Sequence, residues 1–202
     1  MPTSQLEIEF KNLLTKKEFH DLCHQLHVSE NLFELQRNYY LDTDNQTLKT
    51  MNTALRLRIR KNIAQIMLKI ATEDIHEHIE INEVLDFPIE TPENITSWID
   101  QIPDAFKDIL MTNDIPLSEL RLIAKIATFR AEIPYDKGRL FLDFNRYGKE
   151  DYELELEYPD LDEGAVVFND FLIQHNIDRR IAKPKIARAA EFSVAQARGD
   201  VS

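Results

Sequence analysis

Glycine is scarce in this chain: 202 residues contain four, Gly138, Gly148, Gly164 and Gly199, and no two lie close together. Phosphate loops of the GxGxxG or GxxxxGKS/T kind are therefore excluded. A single cysteine, Cys23, excludes an internal disulfide framework and a thiolate zinc cluster. No run approaches the roughly 18 apolar residues of a membrane span, and the opening MPTSQLEIEF lacks the apolar stretch of a secretion signal. A cytoplasmic location is the expectation. Basic residues are also in deficit, 24 Lys+Arg against 36 Asp+Glu, for a formal net charge of −12. That charge repels nucleic acid and anionic membrane, so neither is expected as a partner. An anionic ligand would need a local basic cluster to overcome the background.

What is present suits one soluble domain over residues 1–202. Hydrophobic residues make up 43% and charged ones 30%, and there is no repeat, low-complexity tract or linker. The first segment alternates, with Leu6, Ile8 and Phe10 on one face and Glu7, Glu9 and Lys11 on the other. Thr15-Lys16-Lys17-Glu18 fits a capping box ahead of Phe19, Leu22, Cys23 and Leu26 at helical spacing. Strand patterns recur at 33–42, 54–61, 64–71, 76–83, 120–134, 139–145 and 152–158, with 54–61 and 64–71 joined as a hairpin. Between them, Thr91-Pro92-Glu93 predicts a helix start with Ile95, Trp98, Ile99 and Ile102 as its apolar stripe, and a short helix is expected over 104–111. A last helix is expected over about 162–175, followed by the basic tail RRIAKPKIAR at 179–188. The fold class is α+β, with about eight mostly meander-connected strands and a large antiparallel sheet.

The charges on those strands carry the functional signal. Residues i, i+2 and i+4 share one strand face, about 7 Å apart per step. Glu7 and Glu9 share a face; so do Glu153, Glu155 and Glu157; and Arg56, Arg58 and Arg60 form a row of opposite sign. Lys69, Arg130 and Asp143 stand on strands whose other face is apolar. Any one such row suits a solvated sheet face. Several rows of a single sign do not, because adjacent like charges destabilise a sheet. Carboxylate rows ask for a hard divalent cation such as Mg²⁺ or Mn²⁺, and Arg and Lys rows ask for a polyanion, most naturally a phosphate chain. An eight-stranded barrel with apolar faces outward under helices and charged faces inward satisfies both.

Glu7-Ile8-Glu9-Phe10-Lys11 is the ExExK signature of the CYTH superfamily, the triphosphate tunnel metalloenzymes, and the rest of the chain resembles that family in order. Tyr39-Tyr40-Leu41-Asp42-Thr43 resembles its YFDT segment, with Leu41 where Phe is usual. Leu55-Arg56-Leu57-Arg58-Ile59-Arg60, Lys69, the Glu80/Glu83 segment, Arg130, Asp143, Glu153-Leu154-Glu155-Leu156-Glu157 and Lys183-Pro184-Lys185 complete the series. The resemblance spans about residues 5–190 and is strongest to the bacterial YjbK-like branch. It implies an eight-stranded antiparallel tunnel that holds a triphosphate with basic residues and one or two divalent ions with carboxylates. Carried over by position, Glu7, Glu9, Asp143, Glu153 and Glu155 would be metal ligands. Lys11, Arg56, Arg58, Lys69, Arg130 and Lys185 would hold phosphate oxygens, and Glu7, Glu9 and Lys11 would stand at the chemistry. Glu157, Arg60 and Glu80 share the parity without an assigned role. Pro184 precedes Lys185 where the family commonly has Ser.

The expected activity is metal-dependent hydrolysis of inorganic tripolyphosphate or an organic triphosphate, with Mg²⁺ or Mn²⁺ as cofactor and a triphosphate-containing small molecule as partner. The family also contains class IV adenylate cyclases. A non-catalytic polyphosphate- or nucleotide-binding module is the third alternative, though pure anion binding would not need the carboxylates. Pairing of two barrels through their outer faces would give a homodimer.

Overall fold

A computed structural model describes residues 2–198. Eight strands form a closed antiparallel barrel: β1 (Thr3–Leu14), β2 (Glu34–Thr43), β3 (Thr53–Arg60), β4 (Ile63–Ala71), β5 (Glu77–Val84), β6 (Leu120–Tyr135), β7 (Gly138–Arg146) and β8 (Glu150–Glu157). Their order around the barrel is β1-β5-β4-β3-β2-β6-β7-β8. Among the described residues five α-helices accompany them: α1 (Lys16–Gln25), α2 (Thr47–Thr50), α3 (Asp104–Thr112), α4 (Leu161–Gln174) and α5 (Lys185–Arg198). Among the described residues no helix is long and apolar enough to cross a membrane. The chain divides into two compact units, one of Arg37–Lys125 with the residues up to Leu6, the other of Glu7–Gln36 with the chain from Ile126 onward.

In the first unit, β3 pairs with β4 and β4 with β5, so that one face joins Leu55 to Leu68 and Leu57 to Ile66. These side chains are fully buried, and with Trp98, Ile102, Phe106 and Leu110 they form one hydrophobic core. The other face carries Arg56 opposite Met67, Arg58 opposite Gln65 and Lys69 opposite Glu80. Lys61 and Asn62, both at positive φ (48° and 64°), make the tight β3–β4 turn, a geometry whose twist matches the strands it joins. Asp42, at the end of β2, accepts backbone N–H bonds from Thr43, Leu48 and Lys49 (2.7, 2.9 and 3.1 Å), which fixes the short α2.

The helix expected from Thr91 does not form. Two 3₁₀ turns, Ile95–Ser97 and Ile99–Gln101, stand there instead. Ser97 Oγ donates to the Asn94 carbonyl (2.7 Å) and Thr96 Oγ1 to Asn94 Oδ1 (2.7 Å), local bonds that compete with a helix ladder. The apolar stripe is nevertheless buried, because tight turns also bring Ile95, Trp98, Ile99 and Ile102 to one side.

The second unit is built the same way. β1 pairs with β8, β8 with β7 and β7 with β6, which aligns Phe10, Leu156 and Leu140 on one face, and Leu154, Leu142 and Ala131 one step along. That face packs under Phe168, Phe171 and Leu172 of α4 and Phe19 and Leu22 of α1. The capping box at Thr15 and Glu18 is formed in both directions. Gly138 opens β7 where a Cβ would lie 2.1 Å from the Glu157 carbonyl oxygen. Since backbone cannot yield as a side chain can, Gly138→Ala is expected to lower stability by roughly 1–3 kcal/mol in chemical denaturation.

The basic tail divides into two structural roles. Buried Asn12 donates to the Asp178 carbonyl (2.9 Å) and accepts from the Arg180 backbone N–H (2.6 Å). Arg180 then grips the Glu18 carboxylate (2.7 and 3.0 Å), and Arg179 donates to the Lys11 carbonyl. From Lys185 the chain forms α5, a helix beyond the last one expected. Its Lys and Arg residues had masked the apolar pattern, and in the structure two of those cations turn inward.

Candidate active site

The non-core faces of the strands carry the site. In the second unit, the register sets Arg130 opposite Asp143 and Asp143 opposite Glu153, while Lys11 stands opposite Glu155. Asp143 and Glu153 are 0% exposed and Glu155 3%, and one oxygen from each lies within 4.8 Å of the others. Buried carboxylates persist only when paired. Arg130 supplies a two-pronged contact to Asp143, Nε at 2.7 Å and an NH2 group at 2.6 Å, and reaches Glu155 as well, while its guanidinium lies over the Phe141 ring at 4.5 Å. Lys185 Nζ touches all three carboxylates, at 2.8 Å from Asp143, 3.0 Å from Glu153 and 2.5 Å from Glu155. Lys11 bonds Glu9 (2.8 Å) and lies 3.7 Å from Glu155.

These contacts set the protonation states. Burial pushes the Asp143 carboxyl up, but Arg130 and Lys185 outweigh it and hold it below its ordinary value. Glu155 is held well below its ordinary value in the same manner, by Arg130, Lys185 and Lys11 against burial. Lys11 and Lys185 are themselves raised, since the surrounding carboxylates overcome desolvation. All of these groups therefore stay charged at neutral pH.

Glu7 and Glu9 stand outside the carboxylate trio. Glu7 adjoins Glu157, and burial together with that neighbouring carboxyl pushes Glu157 up to about 8. A carboxyl raised in the folded chain binds a proton that the unfolded chain has lost, so its contribution to stability falls as pH rises from about 4.5 to 8. Glu157→Gln is accordingly expected to leave the melting temperature unchanged at pH 5 and to raise it at pH 9. An equal effect at both values would contradict the Glu7–Glu157 coupling.

In the first unit, Arg56 donates to Met67 Sδ (3.0 Å), lies 3.9 Å from Glu80 and sits over the Tyr40 ring at 5.9 Å. Arg58 Nε donates to Asn38 Oδ1 (3.1 Å). Arg58 and Arg60 also line a cavity of about 280 Å³ with Lys61, Ile63 and Gln65. Lys69 faces Glu80 across the β4–β5 pair.

Sequence reasoning did not single out Arg188. It is 5% exposed and reaches Glu153 Oε2 (2.6 Å), Asp151 Oδ2 (3.1 Å) and the Lys183 carbonyl (2.7 Å). Tyr147 and Asn145 bond the same Asp151. The signal available was its place three residues after Lys185, one helical turn along the same face. With Glu153 Oε2 so engaged, Glu153 Oε1 is buried without a hydrogen-bond partner. Three converging carboxylates with one oxygen in that condition form a hard-oxygen donor set, and they fit a divalent cation.

The CYTH domain family model matches residues 5–190. The chain belongs to the CYTH domain family. This CYTH domain is 37% identical over 194 residues to YjbK of Bacillus subtilis (strain 168), named as a triphosphatase, covering 94% of this chain and 96% of YjbK. Among solved structures it is similar to a Bacillus halodurans protein named as an adenylate cyclase, with a TM-score of 0.81 at 34% identity, covering 92% of this chain and 97% of that one. The Hippeastrum protein HpAC1, named as an adenylyl cyclase and described as revealing a dominant triphosphatase activity, shares the fold. Its TM-score is 0.72 at 18% identity, over 93% of this chain and 95% of its own.

Proposed function

We propose that this CYTH domain hydrolyses a phosphoanhydride bond of a triphosphate with the help of a divalent cation, Mg²⁺ or Mn²⁺. The observation that carries the reading is the buried cluster of Asp143, Glu153 and Glu155 interleaved with Lys11, Arg130 and Lys185. A fold stabilised by burial alone would place apolar side chains there, whereas triphosphate hydrolysis needs cations and metal-holding carboxylates together. The name of YjbK and the activity described for HpAC1 support the same chemistry.

In this reading Asp143, Glu153 and Glu155, with Glu7 and Glu9 of β1, would hold one or two divalent cations, which when bound would supply charge neutralisation on the phosphate oxygens. Lys11, Arg56, Arg58, Lys69, Arg130 and Lys185 bind the non-bridging oxygens and stabilise the charge that develops there. A β1 carboxylate, Glu7 or Glu9, orients water toward the terminal phosphorus and takes its proton. The new P–O bond forms as the bridging P–O bond breaks, and the electron pair leaves on the diphosphate.

Cyclisation of a nucleoside triphosphate is the second reading, favoured by the name of the B. halodurans relative. The two separate on their products. Incubated with ATP and Mg²⁺ or Mn²⁺, the protein is expected to yield inorganic phosphate and no cyclic AMP. Cyclic AMP with diphosphate would overturn the hydrolase reading. A comparison of kcat/KM for tripolyphosphate, ATP and thiamine triphosphate then identifies the attached group it prefers.

A further inference from the structure

We propose that Lys185 excludes a free divalent cation from the Asp143–Glu153–Glu155 trio, so that this chain takes its metal only as the metal–triphosphate complex. The inference rests on the proposed function and concerns the form of its substrate. The ammonium of Lys185 lies 2.5 to 3.0 Å from an oxygen of each carboxylate. A divalent ion bound by the same trio needs oxygens at about 2.0–2.1 Å, which places it among the atoms that Lys185 already bridges. Two cations in contact repel strongly, so the ion and the ammonium occupy that position in alternation.

The local charge balance points the same way. Four cations, Lys11, Arg130, Lys185 and Arg188, are ion-paired among five carboxylates, Glu9, Asp143, Asp151, Glu153 and Glu155. A free divalent ion would turn that buried cluster from one excess negative charge to one excess positive charge unless an ammonium left. A metal–triphosphate complex arrives with net negative charge and offers Lys185 phosphate oxygens in exchange for the carboxylates it gives up.

The exchange needs only a side-chain movement. α5 is seated independently of Lys185: Arg188 ties it to Asp151 and Glu153, and the Phe192 ring packs against Gly148, where φ is +94° and a Cβ would lie 2.2 Å from that ring. The ammonium rides on four flexible methylenes and swings without moving the helix.

The test is Mn²⁺ binding, by calorimetry and electron paramagnetic resonance, to the full chain without triphosphate. Wild type is expected to bind at least tenfold more weakly than Lys185→Met, and Lys185→Arg, which keeps the cation, is expected to match wild type. Wild type and Lys185→Met binding Mn²⁺ equally tightly would overturn the proposal and leave the metal-site reading intact. Failure of both to bind would also overturn the proposal, because Lys185 would then not be what keeps the ion out, while the metal-site reading would stand or fall on hydrolysis with and without EDTA. Should Lys185→Met lose its cooperative unfolding transition, the comparison is made on wild type with and without imidotriphosphate. Mn²⁺ retained on gel filtration only with the analogue supports the proposal, and equal retention without it overturns it.

Discussion

Replacing Glu155 by Gln is expected to lower kcat for triphosphate hydrolysis about 10³-fold while the protein stays folded. Glu155 is the carboxylate at which three cations meet: Lys11, Arg130 and Lys185 all lie within ion-pair distance. It also belongs to the trio proposed to hold the metal. Gln keeps the volume and one accepting oxygen but removes the charge, so the cation loses a ligand and the three bases lose their common counter-charge. A folded variant, shown by an intact cooperative melt, with activity within threefold of wild type would remove Glu155 from the reaction.

Arg130→Ala is expected to be the most destabilising single change in the site. Asp143 is wholly buried and takes two bonds from Arg130, and Glu155 takes a third. Deleting one member of a buried ion network leaves the others desolvated without compensation, at about 3–5 kcal/mol. For a chain of this length that lowers the melting temperature on the order of 10 °C. The pH dependence follows from the same contacts. Asp143 and Glu155 are held below their ordinary values, so their contribution is complete above about pH 5 and is lost as pH falls through the folded values. In Arg130→Ala this acid-side loss should shrink, because less of that stabilisation exists to lose. A melting curve and acid profile superimposable on wild type would contradict the network.

The strands were legible because half-buried sheets impose a period of two, and each of the eight expected segments matches a strand to within a residue or a few at its ends. Parity alone also placed Lys11, Arg130, Asp143, Glu153 and Glu155 on non-core faces. It did not say which of them meet: the contact of Arg130 with Asp143 and of Asp143 with Glu153 comes from pairing register, which sequence order leaves open. The segment 91–102 kept its buried stripe but not its helix, since the Asn94, Thr96 and Ser97 side chains bond locally. The tail at 179–188 was the least legible. Its cations look alike in sequence, yet Arg179 and Arg180 are absorbed by β1 and α1, while Lys185 and Arg188 point into the carboxylates.

In the proposed reaction, buried carboxylates and cations hydrolyse a triphosphate with the help of a divalent ion. Phosphate release from tripolyphosphate, measured with Mg²⁺, with Mn²⁺ and with EDTA, tests it most directly. Release with at least one of the two ions, abolished by EDTA and restored by adding that ion back, is the predicted result. Release that persists undiminished in EDTA, or none with either ion, would contradict it.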